Sequence, residues 1–225
     1  TMNTWSKQYI NKISNLSLPS TFNPWRDYCP SHDLEDAVER RRHNLDEFLS
    51  IFNNEPAEAV WFGRDLGYRG GRRTGIALTD ENHLPVLAKS AGLQLKRSTL
   101  GHPVVERTAT EIWSAIKQLS KIPFLWNVFP LHPHESEQPF TNRAHTRTEA
   151  RMCSSLTIEL LNHISPKIVV SLGNDAHRAL SEIGIESVKV RHPSYGGQAE
   201  FRKDIQKLYS ITLNDTSDLS QLKLL

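Results

Sequence analysis

Three short stretches of this chain carry residue types that could do chemistry together. Asp65 lies in the glycine-rich run Gly63-Arg64-Asp65-Leu66-Gly67-Tyr68-Arg69-Gly70-Gly71, Asn127 in Leu125-Trp126-Asn127-Val128, and His192 in Arg191-His192-Pro193-Ser194. A carboxylate can orient a water, an amide offers both a donor and an acceptor to a planar ring, and an imidazole can stabilise an anionic leaving group. Taken singly, each residue is weak, because Asp in a glycine-rich turn is most often a turn residue. What gives the trio weight is that each member follows an apolar, strand-like run. In a parallel sheet the three loops, 63–71, 127–135 and 192–197, would leave the same edge, where open α/β sheets place their ligands.

The elements that must position these residues are legible as periodicity. Strands are expected at 59–62, 124–128, 167–172 and 187–190. Helices are expected at 33–52, where apolar residues recur at helical spacing, and at 174–184 and 198–210. Two further helices are expected to open on capping boxes, Thr108-Ala109-Thr110-Glu111 running to about 119 and Thr146-Arg147-Thr148-Glu149 running to about 163. Asn174 is expected to cap its helix. The polar N-terminal stretch to about residue 30, with its scattered aromatics, is expected to drape over the core. No element is assigned to 96–108 before the first box, and 211–225 is expected to be loosely held. The alternation of strand and helix predicts an α/β fold with a parallel sheet covered on both faces.

Composition narrows the class. At 225 residues the chain can bury a substantial core, and one domain spanning 1–225 is expected. The net charge is only +2, so clusters matter more than the sum. Cys29 and Cys153 are far apart and fit no metal spacing, so a reduced, cytoplasmic protein is expected. Residues 1–15 lack a signal-peptide pattern, and no apolar run approaches the roughly 20 residues that span a bilayer. His132-Pro133-His134-Glu135 invites a metal reading, but its spacing is poor and its partner ligands are not evident, so no metal is expected.

The four motifs together resemble the uracil-DNA glycosylase superfamily. The matching pieces run from Gly63 to Ile76, Leu125 to His134, Val170 to Ala176 and Val190 to Gly197, in the family's order, across about residues 57–209. The resemblance implies a three-layer αβα sandwich with a small, mainly parallel four-stranded sheet. It also implies a monofunctional glycosylase that hydrolyses the N-glycosidic bond of a flipped-out base in DNA and leaves an abasic site. On that pattern Asp65 positions water, His192 stabilises the departing base, and Asn127 reads the base edge. Ser194 meets a phosphate, and 195–198, including Tyr195 and Gln198, enters the duplex. Arg69, Arg72, Arg73 and Arg143 are expected to contact phosphates, with Arg143, Arg147 and Arg151 sharing one helical face, whereas Arg40-Arg41-Arg42 reads as an exposed face. Two cysteines cannot hold the cluster some branches carry, so no cofactor is expected. DNA is the expected partner, with no membrane, and the chain is expected to act as a monomer.

Departures from the pattern bear on substrate. Arg64 replaces an uncharged residue, Leu66 a common proline, and Leu78 a phenylalanine that stacks on the base with a worth of roughly 1–3 kcal/mol. Gly67 leaves room where uracil-restricted members place a tyrosine against C5. The expected base pocket, bounded by Asn127, Gly67, Leu78 and Arg64, is therefore wide and weakly aromatic. It suits uracil or a C5-modified pyrimidine, such as a modified base in viral DNA attacked in antiviral defence. Ordinary uracil repair, a catalytically silent DNA-binding member and a hydrolase of free nucleosides are the alternatives.

Overall fold

Ala59-Val60-Trp61-Phe62 is apolar without alternation, the pattern of a strand buried on both faces. In the computed structural model, which describes residues 4–214, it forms β2 (Ala59–Asp65) at the centre of a parallel sheet. Its neighbours are β3 (Phe124–Phe129) and β5 (Ile168–Leu172), and β6 (Val188–Val190) closes the far edge, giving the order β3-β2-β5-β6. Consecutive strands β2 and β3 lie side by side, and the chain then crosses back over β2 to β5. The loops after β2 and β5 thus diverge and open a crevice at the carboxyl edge. Register pairs Gly63 with Asn127 and Asp65 with Phe129, so all four belong to the same face of the sheet.

Helices cover both faces, as the αβα expectation requires. On one face, Phe124 meets Phe48 and Phe52 from the α2 side, and Trp126 meets Tyr9 of α1. Here α1 is Thr4–Ser14 and α2 is Ala37–Ser50. On the other face Trp61 packs against Phe201 and Tyr209 of α8 (Gln198–Tyr209), and its indole N–H donates to the Tyr209 hydroxyl at 2.9 Å. Short helices α3 (Gly71–Thr74), α4 (Leu84–Ala91) and α5 (Arg107–Ile116) fill the long β2–β3 crossover. Helix α6 (Arg147–Ile164) leads into β5, and α7 (Asn174–Glu182) joins β5 to β6. A two-strand clip, β1 (Thr21–Phe22) with β4 (His132–Pro133), ties the N-terminal region to the loop after β3.

Several expectations need correction. The N-terminal segment lies over the core with an unassigned helix at its start, because Tyr9, Ile10 and Ile13 share a buried face within α1. Helix α2 starts at Ala37, since Asp33 is drawn away to accept from the Cys29 amide at 2.9 Å and from Arg41 at 3.0 Å. The expected box at Thr108 does not form: α5 already begins at Arg107, with Glu106 as its N-cap, so Thr108 lies within the first turn. Asn174 is likewise the first helical residue, and Gly173 holds the N-cap position. The box at Thr146 is present in full, with its hydroxyl accepting from the Glu149 amide and the Glu149 carboxylate accepting from the Thr146 amide. Most of the tail at 211–225 lies outside the described residues.

Candidate active site

At the carboxyl edge of the sheet lies a cavity of about 610 Å³. Asp65 from the end of β2, Gly173 to Asp175 from the start of α7, and His192 and Ser194 beyond β6 all line it. Gly67, Leu78, Glu106 and Tyr195 complete much of its wall. Two wall residues hold left-handed backbone without being glycine, Leu78 (φ 58°) and Tyr195 (φ 52°), and such strain concentrates at ligand sites.

Asp65 is held from one side only. Its Oδ2 accepts from the His145 amide at 3.2 Å, from the His145 ring at 3.1 Å and from Arg64 Nε at 3.0 Å. Oδ1 has no protein donor among the described residues and is available to a water. Arg64 reaches on to Asp175 at 3.1 Å, bridging the two carboxylates.

His192 is fixed by the next turn of chain. The Ser194 amide can only donate, and it points at Nδ1 from 3.1 Å, so the neutral ring carries its proton on Nε2. The Ser194 hydroxyl lies 2.7 Å from the same nitrogen. Burial, followed by the positive charges of Arg191 and Arg64, pushes the His192 pKa down against the pull of Asp175, favouring this neutral donor.

Asn127 is buried, and its Oδ1 has no hydrogen-bond partner among the described residues. A Cβ on Gly63 would come within 2.5 Å of that oxygen and 2.8 Å of Leu78, so glycine leaves room for both side chains against β2. An unsatisfied buried acceptor costs about 1–3 kcal/mol unless something pairs with it.

The remaining expected residues divide sharply. Tyr195 is 98% exposed at the cavity rim, and Arg69 is exposed over the Tyr68 ring. Arg72 and Arg73, expected on phosphates, are instead buried. Arg72 lies 3.8 Å over the Phe22 ring and donates to His132 and the Pro139 carbonyl, and Arg73 pairs with Glu81 at 2.6 Å. Arg143 precedes α6 rather than sharing its face with Arg147 and Arg151, and it grips Glu149 through both terminal nitrogens, at 2.8 and 2.9 Å. Arg41, expected on an exposed face, is fully buried against Asp33. Leu66 turns into the core beside Gly71 rather than into the cavity. Gln198 lines a separate hollow of about 300 Å³ behind Tyr195. His132 spends both ring nitrogens on Arg72 and the Thr141 carbonyl, and burial beside Arg72 pushes its pKa down to about 4.

Glu106 in the cavity wall and His145 behind Asp65 were not anticipated. His145 stands immediately before a capping box, and that adjacency was its one sequence signal. Glu106 had none. The space expected beside Gly67 is occupied by its carboxyl, since a Cβ on Gly67 would lie 2.5 Å from Glu106 Oε2. Burial, then the neighbouring Asp80 charge, raises Glu106 to about 7 against the opposing pull of Arg69.

With this geometry in view, the model of the uracil DNA glycosylase superfamily matches residues 50–213. The crystal structure of wild-type Pedobacter heparinus SMUG2 superposes with a TM-score of 0.62 at 16% identity, covering 93% of this chain and 97% of that one. No curated protein matches the chain. By class the protein is a DNA glycosylase, a hydrolase of N-glycosyl bonds acting on DNA. The chain belongs to the uracil DNA glycosylase superfamily. Among the described residues, no helix is long and apolar enough to cross a membrane.

Proposed function

We propose that the chain removes a flipped-out pyrimidine from DNA, uracil or a C5-modified relative, by water attack at the sugar C1′. Duplex extrusion delivers the nucleotide to the cavity, with exposed Tyr195 filling the vacated stack. As the C1′–N bond breaks, the sugar becomes oxocarbenium-like and the base departs as an anion. Asp65 Oδ1 orients the attacking water and faces the developing positive charge. The water's proton leaves through Asp65 to solvent. His192 Nε2–H donates to the base carbonyl as negative charge builds there, and Asn127 pairs with the base edge. The released base then takes a proton from solvent.

The observation that carries this reading is the buried Asn127 Oδ1 left without a partner, behind a cavity that Asp65 and His192 both line. Single-turnover incubation with oligonucleotides containing uracil or C5-modified pyrimidines, followed by alkali, tests it. Wild-type protein should yield cleaved strand, and Asp65→Asn or His192→Ala should yield none while still binding DNA. Wild-type rates in both variants would overturn the assignment. A second reading, a silent DNA-binding member, draws on the Arg64 ion pair to Asp65, which engages the carboxylate. It predicts DNA binding with no alkali-labile sites from any substrate.

A further inference from the structure

Arg64 has no part in that mechanism, yet it touches the carboxylate at its centre. Side-chain alternation along β2 turns it away from Asp65. Its guanidinium nevertheless comes back across the strand end, giving Nε to Asp65 Oδ2 at 3.0 Å and Nη1 to Asp175 Oδ2 at 3.1 Å. With the His145 amide and ring, Arg64 closes off Oδ2 and leaves Oδ1 as the oxygen free for a water. Arg64 and Asp175 line both the cavity and a second hollow of about 400 Å³, which His145, Arg147, Arg178 and Glu182 also line. The pair therefore stands between the two spaces, at the back of Asp65.

We infer that Arg64 is a positioning residue for the excision step, which clamps Asp65 Oδ2 to Asp175 and so presents Oδ1 to the attacking water. The inference rests on the glycosylase reading of this cavity and opposes the reading in which the same ion pair silences Asp65. Such a clamp acts through geometry, and a misplacement of about 1 Å can cost on the order of 10²-fold in rate. Its charge reaches the imidazole as well. His192 is faced by Arg191 from its own loop, by Arg64 from β2 and by Asp175 from α7. Burial, then Arg191, then Arg64 lower its pKa, and Asp175 raises it. Removing Arg64 deletes a lowering charge and unpairs the raising one, so His192 takes its proton at higher pH. That proton would sit on Nδ1 and meet the Ser194 amide N–H, which can only donate, so the acid limb of the rate moves up.

The test measures single-turnover base release against DNA concentration and pH for wild type, Arg64→Met and Arg64→Lys. The substrate is whichever uracil or C5-modified oligonucleotide wild type processes fastest, and thermal melting of each preparation verifies folding. Arg64→Met should lower the saturating rate about 30-fold, leave the half-saturating DNA concentration within about threefold, and raise the acid limb by about one pH unit. Arg64→Lys keeps the charge but cannot span both carboxylates, so it should return the acid limb and recover only part of the rate. A loss confined to the half-saturating concentration would make Arg64 a phosphate ligand instead. A rate loss with the acid limb unmoved would mark a merely structural role, and a faster Arg64→Met would mark a silencing contact. Each of these, or an unchanged rate, overturns the role of Arg64 while leaving the glycosylase reading intact wherever any base is released. Release of no base by wild type or either variant overturns both.

Discussion

Glu81 and Glu106 are two glutamates of the same crossover, and they end in opposite states. Glu81 accepts from Arg73 at 2.6 Å, Arg97 at 2.9 Å, the Val104 amide at 3.2 Å and the Thr99 hydroxyl. Burial would raise its pKa, but those hydrogen bonds and charges outweigh it and the carboxylate is held below its ordinary range. Glu106 has no such donors, and burial together with Asp80 drives it up to about 7. Burial is common to both, so the supply of donors decides the outcome. The contrast extends beyond the pair. Behind the first loop Arg73 and Arg143 are matched to carboxylates, while in and behind the cavity Asp65 Oδ1, the Glu106 carboxyl and Asn127 Oδ1 have no protein partner among the described residues. The paired side should carry stability and the unpaired side activity.

The largest effect should come from the unpaired side. On the proposed mechanism, Asp65→Asn lowers the single-turnover rate about 10⁴-fold, equivalent to about 5.5 kcal/mol of transition-state stabilisation. Because Asp65 is held by only one of its oxygens, the melting temperature should move little. A large loss of stability at unchanged rate would place Asp65 with the structural carboxylates and dissolve the contrast.

Breaking the paired side should do the reverse. Glu81→Ala leaves the buried Arg73 guanidinium without its anion, and removing one partner of a buried pair costs about 3–5 kcal/mol. Urea titration should show that loss as a lowered midpoint. A change below about 1 kcal/mol would mean that the network is not a stabilising unit.

Next comes a substitution that should stabilise. Glu106 binds its proton more tightly in the folded chain than in the unfolded one, so folded stability falls as pH rises from about 4.5 through about 7. Above that window its ionisation costs up to about 3 kcal/mol, and below it the cost is absent. Glu106→Gln should therefore raise the melting temperature at pH 8 and leave it unchanged at pH 4. Equal shifts at both pH values would show that charge burial is not the cause.

Sequence periodicity carried the sheet well. Uninterrupted apolar runs such as Ala59 to Phe62 suit burial on both faces, so strand type and parallel sense followed, while the strand order did not. The positions of Asp65 at the end of β2 and His192 beyond β6 followed with them, whereas Asn127, expected to open the loop 127–135, lies inside β3. What could not be read was pairing across the chain. Arg72, Arg73 and Arg143 look the same in sequence as phosphate ligands, and only the fold brings Pro139, Glu81 and Glu149 to them. Glu106 is silent for the same reason, since nothing near it in sequence marks Gly67 as its neighbour. The Thr108 pattern misled because a capping box needs the hydroxyl at the N-cap, and α5 had already started at Arg107.

The smallest expected effect lies where the two sides of the contrast meet. Thr146 and Glu149 cap α6 reciprocally, Arg143 clamps Glu149, and the residue just before the cap, His145, supplies two of the three hydrogen bonds to Asp65 Oδ2. A satisfied structural device thus sets the position of an incompletely satisfied cavity group. Thr146→Ala deletes one capping acceptor and should cost about 1 kcal/mol, a drop of roughly 2–4 °C in melting temperature for a domain of this size. If the cap only closes the helix, the excision rate should stay at the wild-type value. If it also holds His145 against Asp65, the rate should fall several-fold although no cavity residue has changed, and His145→Ala should make the cap mutation silent for rate while its stability cost persists. A double-mutant cycle over Thr146 and His145, read once by melting and once by single-turnover rate, separates the two. Coupling in rate without coupling in stability is the outcome this geometry predicts.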